Sequence, residues 1–290
     1  MKILLIGGTG QLGSAILRRA YDFGFEVTAP ERQVLDARNE SMVLACLKKF
    51  KPDVLINTSA YNIVSKCEEE PYLAAELNFV AVLKMAQATK RFGVSFVTYS
   101  TDYVFDGEKN KPYREEDCPK PLQTYGVSKL AGEYGALNSY ADGTFILRTC
   151  GVYGGKTGSR SKGGNFVLNI LKEAEGKDVI EVSSEQIANP TYAEHLAEAS
   201  LRLLKIGAGA GIYHLVNEGY CSWYEFAKKI FEIWGVNRKV LPVDRGGGDG
   251  KIRRPKFSVL ENVRAKKLGI ILPPWEEGLM AYFKFLNLSK

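Results

Sequence analysis

Several kinds of signal are missing from the sequence. The five cysteines stand at 46, 67, 118, 150 and 221 with no Cys-x-x-Cys pair, and there are only two histidines. That distribution argues against a disulfide framework and against a structural metal site, and reads as reduced packing residues of a cytosolic protein. Nowhere does an apolar run reach the roughly 18 residues a membrane helix needs. The opening run Met1 to Gly7 is too short for a signal peptide and passes straight into a turn. A cytoplasmic protein without a membrane partner is expected. A clustered basic face is also missing: the net charge of +6 is scattered along the chain, which argues against nucleic acid and leaves room for an anionic small molecule. There is no internal repeat and no low-complexity linker.

What is present is a chain of 290 residues, 45% hydrophobic, long enough to bury one large core or a domain plus a small lobe. Its first half alternates short apolar runs with helical patterns, the signature of βαβ units around a buried parallel sheet. Strands are expected at Ile3 to Ile6, Glu26 to Ala29, Asp53 to Asn57, Ser95 to Ser100, Thr144 to Arg148 and Val179 to Val182. Helices are expected at Leu12 to Phe23, Ser41 to Phe50, Tyr72 to Phe92, Tyr125 to Ser139 and Phe166 to Glu175. After about residue 150 the alternation loosens, with glycine-rich stretches at Gly154 to Gly164 and Gly246 to Gly250 that read as loops able to border a cleft. The expected fold is α/β, a doubly wound parallel sheet of Rossmann type over residues 1–150. Residues 151–290 are expected to form mainly a smaller substrate-binding lobe, with some segments returning to the first domain.

The first strand runs into Gly7-Gly8-Thr9-Gly10-Gln11-Leu12-Gly13, which opens a helix. In that context the glycines bring backbone N–H groups and a helix N-terminus to a dinucleotide pyrophosphate. Gly7, Gly10, Gln11, Leu12 and Gly13 are therefore assigned to cofactor binding. The second strand ends at Pro30-Glu31-Arg32, beside the expected ribose. Glu31 suits the 2′-hydroxyl of NADH and Arg32 the 2′-phosphate of NADPH, so both cofactors stay open, with NADPH favoured. Asp36 and Ala37 follow at a distance suited to the adenine, although a helix-capping or surface Asp36 fits as well.

Tyr125-Gly126-Val127-Ser128-Lys129 opens a helical stretch, and a spacing of four puts both side chains on one face. An ammonium near the phenol is expected to lower its pKa, so that the tyrosine exchanges a proton with an alcohol or carbonyl oxygen. The spacing alone is weak, because Tyr224-Glu225-Phe226-Ala227-Lys228 repeats it late in the chain, on a stretch expected to be structural. Tyr125 is favoured by its neighbourhood. The strand before it ends in Ser100-Thr101-Asp102, and a hydroxyl at the carboxyl end of a parallel strand faces the ligand crevice, where Thr101 can donate to a substrate oxygen.

The glycine turn, Ser100-Thr101-Asp102-Tyr103-Val104-Phe105-Asp106-Gly107 and Tyr125-x-x-x-Lys129 together resemble the extended short-chain dehydrogenases acting on nucleotide sugars. The dTDP-4-dehydrorhamnose reductase family is the most similar group. The resemblance also takes in Ile56-Asn57, Ala60-Tyr61, Glu68-Glu69-Glu70-Pro71, Asn78, Asn189-Pro190-Thr191-Tyr192, Arg254-Pro255 and Ser258-Val259-Leu260. It implies hydride transfer from NAD(P)H to C4 of a 4-keto-6-deoxy nucleotide sugar, with Tyr125 as proton donor supported by Lys129 and Thr101. It further implies Ser59, Ala60 and Tyr61 at the cofactor, Val64, Asp102 and the turn 189–192 near the nicotinamide or sugar, and a tendency to form homodimers.

Two departures bear on the substrate. A tryptophan common in the family after the fifth strand is replaced by Gly151, so an aromatic wall is expected to be missing there, and Ser65 replaces an aspartate. Dehydratases of similar sequence carry Thr-Asp-Glu where this chain has Thr101-Asp102-Tyr103, so the base for elimination is absent, and 4-epimerases differ after the serine. A reductase of another nucleotide sugar remains open. So does a non-catalytic, NADP-binding regulatory subunit similar to the β subunit of methionine adenosyltransferase. The acidic run 68–70 is expected to be a solvated helix start with Pro71 in its first turn, in preference to a metal or dimer contact.

Overall fold

A computed structural model describes residues 1–159, 162–244 and 252–287. Six parallel strands form the main sheet, in the spatial order Gly211–His214, Thr144–Thr149, Ser95–Thr101, Val54–Asn57, Lys2–Ile6 and Glu26–Thr28. The order reverses between Lys2–Ile6 and Val54–Asn57, the doubly wound arrangement in which ligands bind at the carboxyl ends of the strands. The continuous apolar strands follow from burial on both faces. On one face, Ile3, Leu5 and Val97 pack with Ile16 of the helix Gln11–Ala20 and Leu196 of the helix Ala193–Lys205. On the other, Leu4, Leu55 and Phe96 pack with Val43 of Glu40–Phe50 and Met85 of Ala81–Phe92.

The expected strands and helices form, most with ends shifted by a residue or so; the first helix ends at Ala20 with Tyr21–Phe23 as a 3-10 turn, the strand Val179–Ser183 lies outside the main sheet, and one further difference is informative. The single helix expected from Tyr72 to Phe92 is divided into Pro71–Ala75, a π-helical segment Glu76–Val80 and Ala81–Phe92. The wide turn presents the buried Asn78 side chain to the loop after the third strand, where it accepts from Tyr61 N–H at 2.8 Å and donates to Tyr61 C=O at 2.9 Å. Inserted turns of this kind are common at functional sites.

Beyond residue 150 the chain contributes both to the main sheet and to a separate aromatic cluster. The helix Ala193–Lys205 and the strand Gly211–His214 return to the main sheet. The remainder builds an aromatic core of Tyr153, Tyr192, Phe226, Trp275, Tyr282 and Phe283, with Val179–Ser183 paired to Lys239–Val243 beside it. Arg18 and Arg19, on the helix that follows the glycine turn, both bond Glu194 and tie that helix to Ala193–Lys205. The expected loop Gly246 to Gly250 lies outside the described residues. No helix among the described residues is long and apolar enough to cross a membrane.

Candidate active site

The glycine turn is shaped by close approach. Gly7 has φ +84°, and a Cβ there would stand 2.5 Å from Thr58 Oγ1. A Cβ on Gly13 would overlap the Gly7 carbonyl, so glycine alone lets the helix start against the turn. Gly10 occupies the N-cap, with no side chain capping the helix and no acid in its first turn. The amide end is thus left to an anion. Gln11 donates to Val152 C=O at 2.9 Å, while its Oε1 is buried without a partner. Arg32 lies apart from the catalytic groups, its Nε 3.0 Å from Asp36; Arg38, which the sequence reading passed over, bonds the same carboxylate at 3.0 Å. Those two arginines, Arg38 foremost, hold Asp36 well below the usual carboxylate range. Ala37 is buried in the core beside them.

A cleft of about 670 Å³ opens past the end of the strand Ser95–Thr101. Of the residues singled out from sequence, Gln11, Val64, Thr101, Asp102, Tyr125 and Gly151 line it. Ser59 bonds Asn57 Oδ1 through both N–H and hydroxyl, at 3.0 and 2.6 Å, which fixes the start of the loop carrying Ala60 and Tyr61. Tyr61 donates its hydroxyl to Glu70. Asn78 then links this loop to the Tyr125 helix, donating to Ser128 Oγ at 3.0 Å, and Ser128 donates to Tyr125 C=O at 2.8 Å. The helix Thr124–Tyr140 is anchored at its start by Glu68, which accepts from Thr124 N–H and hydroxyl at 2.7 Å each. The acidic run is therefore partly committed to this end of the site instead of being only solvated. Among the described residues no cluster suited to a metal ion occurs.

Tyr125 packs edge-on to Tyr103 with ring centroids 6.1 Å apart. Its phenol is raised above its ordinary value by burial first and by the Asp102 carboxylate next, while a hydrogen bond from Thr101 draws it back. This corrects the expectation of a lowered phenol. The Lys129 ammonium instead sits behind the cleft and is bonded toward the sheet: Nζ donates to Tyr99 C=O at 2.6 Å. Burial lowers Lys129 to about 8, opposed by Glu133 one turn along the helix. Glu133 is itself 2% exposed, pairs with Arg148 (1% exposed) at 2.6 Å and accepts from Ser100. Asp102, bonded by Ser258 at 2.6 Å and by Thr101 at 3.0 Å, is raised mainly by burial.

The expected gap at Gly151 is filled from elsewhere. Gly151 has φ +54°, and a Cβ there would stand 3.0 Å from the ring of Trp223. Trp223 lines the cleft and packs on Phe166 with centroids 4.8 Å apart. Trp223 is the first residue of the helix Trp223–Trp234, which also carries Tyr224 and Lys228. That helix was expected to be structural; its first side chain reaches the cleft, while Lys228 sits over the Tyr224 ring at 5.4 Å. Ser159, Lys162 and Gly164 of the expected glycine-rich loop also border the cleft, as does Arg254. Sequence reading gave neither cation a role, because nothing local ties them to residues 100–129.

The RmlD substrate binding domain family model matches residues 1–287. The chain is 37% identical over 283 residues to the spore coat polysaccharide biosynthesis protein SpsK of Bacillus subtilis, covering 98% of this chain and 97% of that one. It is 33% identical over 294 residues to a dTDP-4-dehydrorhamnose reductase of Escherichia coli, covering 96% of each. The solved dTDP-4-dehydrorhamnose reductase of Bacillus anthracis in complex with NADP superposes with a TM-score of 0.90 at 32% identity, over 97% of this chain and 98% of that one. With sequence and fold shared along nearly its whole length, the chain belongs to the RmlD substrate binding domain family.

Proposed function

We propose that this chain is an NAD(P)H-dependent oxidoreductase that reduces the C4 keto group of a 4-keto-6-deoxy nucleotide sugar, dTDP-4-dehydrorhamnose being the first candidate. The observation that carries the reading is the placement of the Tyr125 and Thr101 hydroxyls together at a sheet end beside the glycine turn, with Lys129 buried behind. Full-length relatives named dTDP-4-dehydrorhamnose reductase, one of them solved with NADP, support it.

The fit to a dinucleotide rests on the uncapped helix start, the backbone approach permitted by Gly7 and Gly13, and the orphaned Gln11 Oε1. When bound, the reduced nicotinamide supplies the hydride. Tyr125 gives its phenolic proton to the keto oxygen as negative charge develops there, and Thr101 donates a hydrogen bond to the same oxygen. Burial keeps the phenol protonated, as a donor must be, and the proton moves only as negative charge develops on the keto oxygen. Lys129, donating to Tyr99 C=O, holds its positive charge one helical turn behind Tyr125. Trp223 and Phe166 offer apolar walls that exclude water.

Gly151 and the SpsK relative favour a second reading, in which the same chemistry serves a different nucleotide sugar. Purified protein mixed with NADPH or NADH and a panel of 4-keto nucleotide sugars is expected to consume the reduced cofactor, read at its absorbance band. Oxidation with another sugar alone moves the reading to the second form. No oxidation with any of them overturns both and leaves the non-catalytic subunit.

A further inference from the structure

The acidic run Glu68-Glu69-Glu70 is a motif that the proposed chemistry leaves unused. Its first two residues end the short helix Val64–Glu69. Val64 lines the cleft, and Glu68, four residues on and so on the same face, lies outside it. Glu68 Oε1 accepts from Thr124 N–H and Oε2 from the Thr124 hydroxyl, each at 2.7 Å. Thr124 is the first residue of the helix that carries the site, and Tyr125 is the second. That helix has no acid of its own in its first turn. The Glu68 carboxylate therefore satisfies an amide left over at the helix start and sets a negative charge at its positive end. Two further contacts fix the same turn. Gln123 accepts from Gly126 N–H at 2.6 Å, and a Cβ on Gly126 would stand 2.2 Å from the Tyr103 carbonyl oxygen, so the backbone lies directly against that residue. On the other side Cys67 donates to Tyr61 C=O at 3.4 Å, which seats the short helix on the loop of Ala60 and Tyr61.

We infer that Glu68 is a positioning residue for the reduction: through Thr124 it fixes the first turn of the helix, and with it the direction in which the Tyr125 hydroxyl meets the keto oxygen. Resting on the reductase reading, this assignment adds to it a residue that stands outside the cleft. A side chain at the second position of a helix follows any tilt or fraying of the first turn. Displacing a reacting group by about 1 Å costs on the order of 10²-fold in rate, so the anchor matters to proton transfer more than its surface position suggests. Glu68 holds Thr124 through two atoms at once, which fixes orientation as well as distance. Glu69, its neighbour in the run, is equally exposed and supplies the comparison.

Two measurements on the full chain test this. In steady-state kinetics Glu68→Ala is expected to lower kcat on the order of ten-fold, with KM for NADPH and for the keto sugar within about two-fold. Its solvent deuterium isotope effect on kcat should rise, because a misplaced phenol makes the proton step more limiting. Glu68→Gln keeps one acceptor oxygen and should recover most of the loss, to within about three-fold of the wild type, while Glu69→Ala should behave as the wild type. A cap serving stability alone would lower the Tm of Glu68→Ala and leave kcat and the isotope effect of the folded protein unchanged, which overturns the inference. The second measurement needs no turnover. In protein labelled with 3-fluorotyrosine, the Tyr125 resonance, identified by its loss in Tyr125→Phe, should move or broaden in Glu68→Ala while that of Tyr224 stays in place. A Tyr125 resonance that does not change in folded Glu68→Ala overturns the positioning role whatever the activity. A wild type that reduces no keto sugar, but whose Tyr125 resonance moves in Glu68→Ala, removes the reductase reading and leaves Glu68 setting the placement of Tyr125.

Discussion

Two stretches of this chain carry the same series, Tyr125, Lys129, Glu133 and Tyr224, Lys228, Glu232, each at intervals of four on a helix. Their surroundings share almost nothing. In the first, Lys129 is buried and bonded to the sheet, Glu133 is locked to Arg148 inside the core, and Tyr125 faces a cleft beside Thr101. In the second, Lys228 is exposed over its own tyrosine ring, and Glu232, with a side chain 66% exposed, pairs with Lys229. Spacing on a helix fixes which side chains share a face. The elements packed against that face decide whether they meet water, core or ligand.

That comparison breaks if the two tyrosines behave alike. Tyr125→Phe is expected to lower kcat by ~10³-fold, within the range for losing a proton donor, with cofactor affinity nearly unchanged. Tyr224→Phe should leave kcat within about two-fold, since it removes one half-exposed hydroxyl. Equal losses in steady-state kinetics would show that position in the fold does not separate the pairs.

The glutamates sharpen it next. Glu133→Gln leaves the buried Arg148 charge uncompensated and should cost ~3–5 kcal/mol in denaturant unfolding, whereas Glu232→Gln should stay within ~0.5 kcal/mol. A small effect at Glu133 would mean that water or another group reaches Arg148.

The smallest expected effect is in the pH profile. Lys129 is lowered to about 8, so its ammonium is present below that pH and is lost as pH rises through it. An alkaline limb of kcat/KM near 8 is therefore expected. Lys129→Arg should lower activity and flatten that limb, because a guanidinium stays charged. Lys228→Arg should leave the profile as it was. A limb that persists in Lys129→Arg belongs to another group.

The parallel sheet was legible because burial on both faces forces continuous apolar runs, and Gly7 to Gly13 was legible because one strand-turn-helix contains the whole device. Thr101 and Tyr125 could be linked through the ligand-facing end of the sheet. The wall at Gly151 was misread. Its aromatic ring arrives from Trp223, some seventy positions away in sequence, and no local pattern joins the two. The π segment was missed for a similar reason: its extra residue serves Asn78 and the Tyr61 loop, a contact between segments. The direction of the Tyr125 shift depended on burial and on Asp102, neither of which spacing reports.

By itself, then, the sequence determined what is encoded within one element or one turn: the strands, the helices, the glycine turn and the shared face of Tyr125 and Lys129. Only the tertiary structure decided which of two identical helical series became buried, which aromatic ring fills the cleft beside Gly151, and that Arg254 and Lys162 line one cleft with Tyr125. Those outcomes depend on contacts between distant segments and on the desolvation that packing imposes, and neither is present until the chain has folded.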